Sequence, residues 1–271
     1  MFSRAAAFLL LVLLCAVPGA GISPYRVADI NPVASPASSS PSDFVPFRGI
    51  SFFSADDGVS GRGPWRSDGT AAGTYQLQDV GSFRVMAKTD GGIFFFAGEI
   101  TDSALWVTDG TRSGTFRLAG GLDFRSSWWA WVPEKHLFFF SADDGLHGVE
   151  VWRTDGTAAG TYLVKDIHPG SASSEPRDLT SFQGKLYFFA DDGVQGHALW
   201  ASDGTPQGTR LVKDTWPGSE PLIGPFDLAA IGNRLLFFAP SPSHGIELWR
   251  SDGTPGGPRW RPSSSPARDL P

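Results

Sequence analysis

Cysteine is almost missing from this chain. The single one, Cys15, lies inside an apolar run near the start, so a chain cut after that run holds none. Disulfides are thereby excluded as a framework, and hydrophobic burial must hold the fold together. Basic clusters are missing as well. With 22 Lys+Arg against 28 Asp+Glu the net charge is −6, and no Lys/Arg patch offers the footprint of a nucleic-acid binder. The apolar run "AAAFLLLVLLCAV" (5–17) is too short to span a bilayer, which takes about 20 residues. The five histidines, His136, His147, His168, His197 and His244, show no paired metal spacing. No Gly-x-Ser-x-Gly, phosphate loop or dinucleotide fingerprint occurs.

The start of the chain has one clear reading. Arg4, the apolar run and the small residues "PGAG" have the order of a secretory signal, cleaved near Gly19 or Ala20. Residues 1–20 are therefore expected to be a signal peptide, and the mature chain to be secreted, periplasmic or at the cell surface. A lipid anchor on Cys15 is disfavoured because Leu14 stands where a small residue is wanted.

What is abundant is turn chemistry and aromatics. Gly 33 and Pro 21 accompany 13% Phe, Trp and Tyr, the composition of a turn-dense β protein. A Trp-x-x-Asp-Gly-Thr phrase occurs five times, at Trp65/Asp68, Trp106/Asp109, Trp152/Asp155, Trp200/Asp203 and Trp249/Asp252, with Trp-to-Trp steps of 41, 46, 48 and 49 residues. Gly-Thr follows each of the first four Asp residues by five positions. In the fourth unit "DLTSF", "KLYFFA", "HALWAS" and "TRLVKD" are β-rich runs separated by Gly-bearing turns, with no helical period between them.

Four strands per repeat of this length predict an all-β, five-bladed β-propeller with antiparallel blades. The Asp-Gly-Thr turns ring one face of the disc and the "DDGxxG" loops the other. The run "YRVADI" (25–30) resembles a fourth strand with no blade before it, whereas Pro258 and "RWRPSSSPARDLP" deny one to the last unit. The N-terminal strand is therefore expected to complete the fifth blade and close the ring. Residues 21–257 form the propeller and 258–271 an irregular tail.

Each repeated residue has a packing reading first. The five Trp residues are expected to fill contacts between neighbouring sheets, and the five Asp residues to cap their own turns. Two features break the repeat. The pairs Asp56-Asp57, Asp143-Asp144 and Asp191-Asp192 offer adjacent carboxylates that suit a hard cation such as Ca²⁺. A solvated turn, in which one Asp caps the other's backbone, explains the same pattern. "SSWWAWVPEK" concentrates Trp128, Trp129 and Trp131, with Trp129 and Trp131 sent to one face. They either stack on a sugar ring or partner surface or plug a gap between blades.

The phrases "EVWRTDGT" (150–157), "ALWASDGT" (198–205) and "ELWRSDGT" (247–254) resemble those of the ELWxxDGT repeat family of secreted bacterial proteins. The likeness runs from residue 25 to about 257. The first unit, "GPWRSDGT", departs at its leading positions, and the second replaces "LVKDI" by "LAGGL". The resemblance implies a repeat architecture and export, with no catalytic residues to carry over. The expected function is a non-enzymatic binding or surface-interaction module, monomeric, with a protein or polysaccharide partner. The alternative is a glycan hydrolase using carboxylates near the axis, since hydrolysis needs two of them facing each other across a cleft.

Overall fold

The computed structural model describes residues 25–33, 38–99, 102–124, 128–214, 224–241, 245–257 and 259–260. The expected signal peptide and His244 lie outside these residues. Five antiparallel four-stranded sheets follow one another along the chain, each in simple up-and-down order. The first holds Ser42–Phe47, Ile50–Asp56, Arg62–Ser67 and Tyr75–Gln76; the second Phe83–Lys88, Ile93–Glu99, Asp102–Thr108 and Thr115–Leu122. The third holds Trp129–Val132, Leu137–Asp143, Val149–Thr154 and Tyr162–Lys165, and the fourth Arg177–Phe182, Lys185–Asp191, His197–Ser202 and Arg210–Lys213. The fifth is Phe226–Ile231, Arg234–Ser241, Gly245–Ser251 and Arg259–Trp260.

The second strands are nearly unbroken apolar runs, such as "LFFFSAD" in the third sheet, which neighbouring sheets cover on both faces. Four hydrophobic clusters form, each shared by two consecutive sheets. Between the third and fourth sheets, Val132, Phe139 and Val164 meet Leu186, Phe188 and Trp200. The first strands of the third, fourth and fifth sheets lie side by side, so the sheets radiate like blades and the fold is propeller-like. Arg48-Gly49 and Gln183-Gly184 both have positive φ at each residue, the two-residue hairpin turn that matches strand twist.

Ring closure by the N-terminal segment is overturned. Residues 25–30 form no strand, and the fourth place in the fifth sheet is taken by Arg259–Trp260. Their register, Trp249 opposite Trp260 and Arg250 opposite Arg259, repeats that of Trp200 with Leu211 and Ala201 with Arg210. Proline removes only its own N–H, so Pro258 does not bar the two residues after it from pairing. The expectation of an irregular tail fails at those two positions.

Residues 25–31 nevertheless lie where a preceding blade's last strand would. The Tyr25 hydroxyl donates to the Gly69 carbonyl at 3.5 Å, as Tyr162 does to Gly204 at 3.4 Å. Asn31 crowds Gly58 as His168 crowds Gly193. Among the described residues no hydrophobic cluster joins the fifth sheet to the first. Phe238 and Leu248 stay 39% and 51% exposed, whereas their counterparts Phe189 and Leu199 are fully buried.

Candidate functional site

Four of the five Asp-Gly-Thr turns are copies of one hydrogen-bonded hairpin. In the third sheet the Asp155 carboxylate accepts from the Thr157 amide and hydroxyl, and the Thr157 hydroxyl accepts from the Gly160 amide. Thr161 donates back to the Thr157 carbonyl. The Thr157 hydroxyl holds the Asp155 carboxyl below the usual carboxylate range, against an opposing push from burial. A Cβ on Gly160 would stand 2.0 Å from Asp155 Oδ1, so the Gly of each Gly-Thr pair is there for space. Asp68, Asp109 and Asp203 repeat the arrangement, whereas at Asp252 the Thr254 bonds recur but the Gly257 amide donates to the Thr254 carbonyl. The repeated tryptophans sit between sheets: Trp106, Trp152, Trp200 and Trp249 each pack on one of the four clusters, and Trp65 on none.

On the opposite rim, the paired aspartates bind their own loops. Asp56, Asp143 and Asp191 each accept from the amide of the following Gly. Asp57, Asp144 and Asp192 each accept two further loop amides. Asp144 also pairs with His147 Nδ1 at 2.8 Å, which raises the imidazole pKa. Among the described residues, no three His, Cys, Asp or Glu groups gather as a metal site would need.

Near the axis, Asp43, Asp178 and Asp227 recur with left-handed φ of +54 to +57°, at bulges in the first strands of sheets one, four and five. Burial pushes the Asp178 carboxyl up, while the backbone N–H groups of Leu228 and Asp227 bind it and oppose the rise. This carboxylate thus ties the fourth sheet to the fifth. Nothing in the sequence around them marks these residues, although Asp tolerates the left-handed region better than most side chains do.

The place where the repeat gives way is between the second and third sheets, on the Asp-Gly-Thr face. A cavity of about 370 Å³ opens there, within the usual range for small-molecule sites. Phe94 and Phe116 from the second sheet and Trp131 from the third form its apolar wall. Asp109 and Asp155, one from each hairpin, stand at its rim with Thr89 and His136. Trp129 and Trp131 share a face, as alternation predicts, and Trp129 packs on Phe138 with ring centres 5.9 Å apart. Trp128 and Trp129 are each a little over two-fifths exposed. Of the three tryptophans singled out in the sequence, only Trp131 lines the cavity.

Its origin is a set of missing side chains. At the junction of sheets one and two, Ile50 presses on Gly110, and Arg66 lies over the Tyr75 ring and reaches the Gly110 carbonyl at 3.5 Å. At the junction of sheets three and four, Leu137 and Arg153 press on Gly204, and Tyr162 bonds to its carbonyl. Strand register places Gly92, Val107 and Phe116 at the matching positions of the second sheet. A Cβ built on Gly156, the counterpart of Gly110 and Gly204, meets nothing within 4 Å. Gly92 is itself constrained, since its Cβ would lie 2.8 Å from the Thr108 carbonyl oxygen. The fourth sheet also lacks the arginine, having Ala201, but there the Tyr187 hydroxyl reaches the Gly253 carbonyl at 3.1 Å.

No family model matches this chain, and no curated protein matches it. Solved structures are similar at low identity. A puromycin hydrolase S511A mutant complexed with PGG is 16% identical, with a TM-score of 0.49 over 81% of this chain and 37% of the other. The nidogen/laminin complex and TolB from Acinetobacter baumannii are each 13% identical, with TM-scores of 0.38 over 75% of this chain. The matches cover 72% and 50% of those chains. This chain thus spans little more than a third of the puromycin hydrolase it resembles.

Proposed function

We propose that the protein is a non-enzymatic, exported binding module of the ELWxxDGT repeat type, its five sheets serving as propeller blades. The ligand site is the cavity between the second and third sheets. One observation carries the reading: three side chains that fill the equivalent space in the first and third sheets are replaced here by Gly92, Val107 and Phe116. Trp131 then lines an aromatic recess instead of a packed seam. The partner is a polysaccharide or a protein that places one small group in this recess, where the indole face offers contact area.

The test is a titration of soluble polysaccharides and surface proteins, followed by tryptophan fluorescence and calorimetry. Trp131→Ala should weaken the bound partner about tenfold or more, the size of one lost aromatic contact, and leave polymer length unchanged. Undiminished affinity in that variant overturns the assignment of the site.

A second reading, a glycan hydrolase using axial carboxylates, draws support from the raised Asp178 carboxyl beside Asp227. It predicts shortened polymer in the same titration, and loss of that cleavage in Asp178→Asn.

A further inference from the structure

We infer that the cavity between the second and third sheets recognises an organic cation, a guanidinium or alkylammonium group presented by the ligand. The inference rests on the binding-module reading and specifies the chemistry of its site. The same niche is occupied elsewhere in the molecule. In the first sheet that occupant is a cation of the chain itself. The Arg66 guanidinium sits 5.2 Å from the centre of the Tyr75 ring, pairs with the Asp68 carboxylate at 3.2 Å and donates to the Gly73 and Gly110 carbonyls. In the third sheet Arg153 lies 4.5 Å over the Tyr162 ring, against Gly204 and close enough to Asp155 to help lower its pKa.

The second sheet keeps every part of this receptor except the cation. Phe116, a residue 42% exposed, supplies the ring and lines the cavity. Asp109 stands where Asp68 stands, its Oδ1 held by the Thr111 amide and hydroxyl. Gly156, in the place of Gly110, lines the cavity with open space before it. The arginine is gone, replaced by Val107, and Gly92 removes the aliphatic side chain that stands beside it in the first and third sheets. An aromatic face attracts a cation through its quadrupole, and a nearby carboxylate adds to that attraction in a partly desolvated recess. Asp155 on the far rim and Trp131 on the wall contribute a second carboxylate and a second ring. His136 is the one lining side chain able to carry positive charge, and it lies 3.5 Å from the Asp90 carboxylate. A neutral sugar needs hydrogen-bond partners around its ring. Here both rim carboxylates already bind their own hairpins, while the ring-and-carboxylate pair asks for charge.

The experiment compares Nα-acetyl-L-arginine ethyl ester with Nα-acetyl-L-citrulline ethyl ester, which keeps the shape and removes the one charge, by calorimetry at low salt. The arginine ester should bind at least about tenfold more tightly, the scale of one cation–π contact, and lose affinity as salt rises. Val107→Arg should abolish that binding by supplying the cation from the chain, and should raise the melting temperature by about 4 °C. Asp109→Asn keeps an acceptor oxygen for Thr111; it should weaken the arginine ester several-fold and leave the citrulline ester unchanged. Should Val107→Arg fail to fold, Asp109→Asn decides. Equal affinity for the two esters, or binding that survives both substitutions, overturns the inference. If neither ester binds while a neutral polysaccharide does so in a Trp131-dependent way, the cation is wrong and the binding site stands. If nothing binds in a Trp131-dependent way, both fall.

Discussion

Between the third and fourth sheets, Leu137, Arg153 and Tyr162 converge on Gly204, and Trp200 lies almost wholly buried among Phe139, Val164 and Phe188. One junction earlier the same positions hold Gly92, Val107 and Phe116, and Gly156 looks onto open space. The Asp-Gly-Thr hairpins are bonded alike in both, so the contrast lies in side-chain volume, in charge and in the Tyr162 hydroxyl bond that Phe116 cannot make. In a repeat protein stability is roughly a sum of unit and neighbour contributions. One junction can therefore be left underfilled when the others are dense, and the underfilled one is available for a ligand.

The contrast is broken most directly by truncating the tryptophan on each side. Trp200→Ala removes a buried ring whose Nε1 also donates to the Ala190 carbonyl at 3.2 Å, and should cost about 3–5 kcal/mol in denaturant unfolding. Trp131→Ala, on the wall of an existing cavity, should cost about 1 kcal/mol or less. Equal losses would mean that the two junctions are packed alike.

Next in size is a pH effect at the segment that links the third sheet to the fourth. Glu150 is fully buried and bound by two residues of that segment, the Ser174 hydroxyl at 2.6 Å and the His168 amide at 3.1 Å. Burial raises its pKa from 4.5 to about 7, although these donors oppose the rise. A raised carboxyl pKa means that folding favours the protonated form. The stability this gives is complete below pH 4.5 and is lost as pH climbs through about 7. Wild type should therefore lose stability, up to about 3 kcal/mol, between those limits. Glu150→Gln should flatten the profile. Parallel pH profiles for the two proteins would refute the assignment.

The smallest and most specific difference compares two alanines. Gly156 and Gly204 have φ of +91° and +93°, so Ala costs the same backbone strain at either, about 1–2 kcal/mol. Only at Gly204 does the new methyl also strike Leu137 Cδ1, 2.7 Å away. Gly204→Ala should be the more destabilising by about 1–3 kcal/mol in thermal unfolding. If the pair matches, Gly156 does not face a void.

Most strands and turns are legible in the sequence because their determinants are local. Trp, Asp-Gly-Thr and Gly-Thr lie within a dozen residues, and alternation fixes which side each strand buries. Which segment completes the fifth sheet depends instead on residues far apart in the chain. There a two-residue strand, Arg259–Trp260, takes a place that composition alone assigns to residues 25–30. Trp131 stands out in the sequence as an excess. Its partners escape notice because they are deficits, although the residue after each repeated Trp reads Arg66, Val107, Arg153, Ala201, Arg250. The inner Asp bulges went unread since nothing in a single sequence marks a left-handed Asp within a strand.

In the first sheet the bonds made by the Ser67, Asp68, Thr70 and Thr74 side chains begin and end between Ser67 and Thr74. A segment that closes on itself in this way does not depend on its neighbours for its shape. Tandem duplication can then copy it intact, and later substitutions beside a copy, as at Val107, change what the surface captures without disturbing how the chain turns.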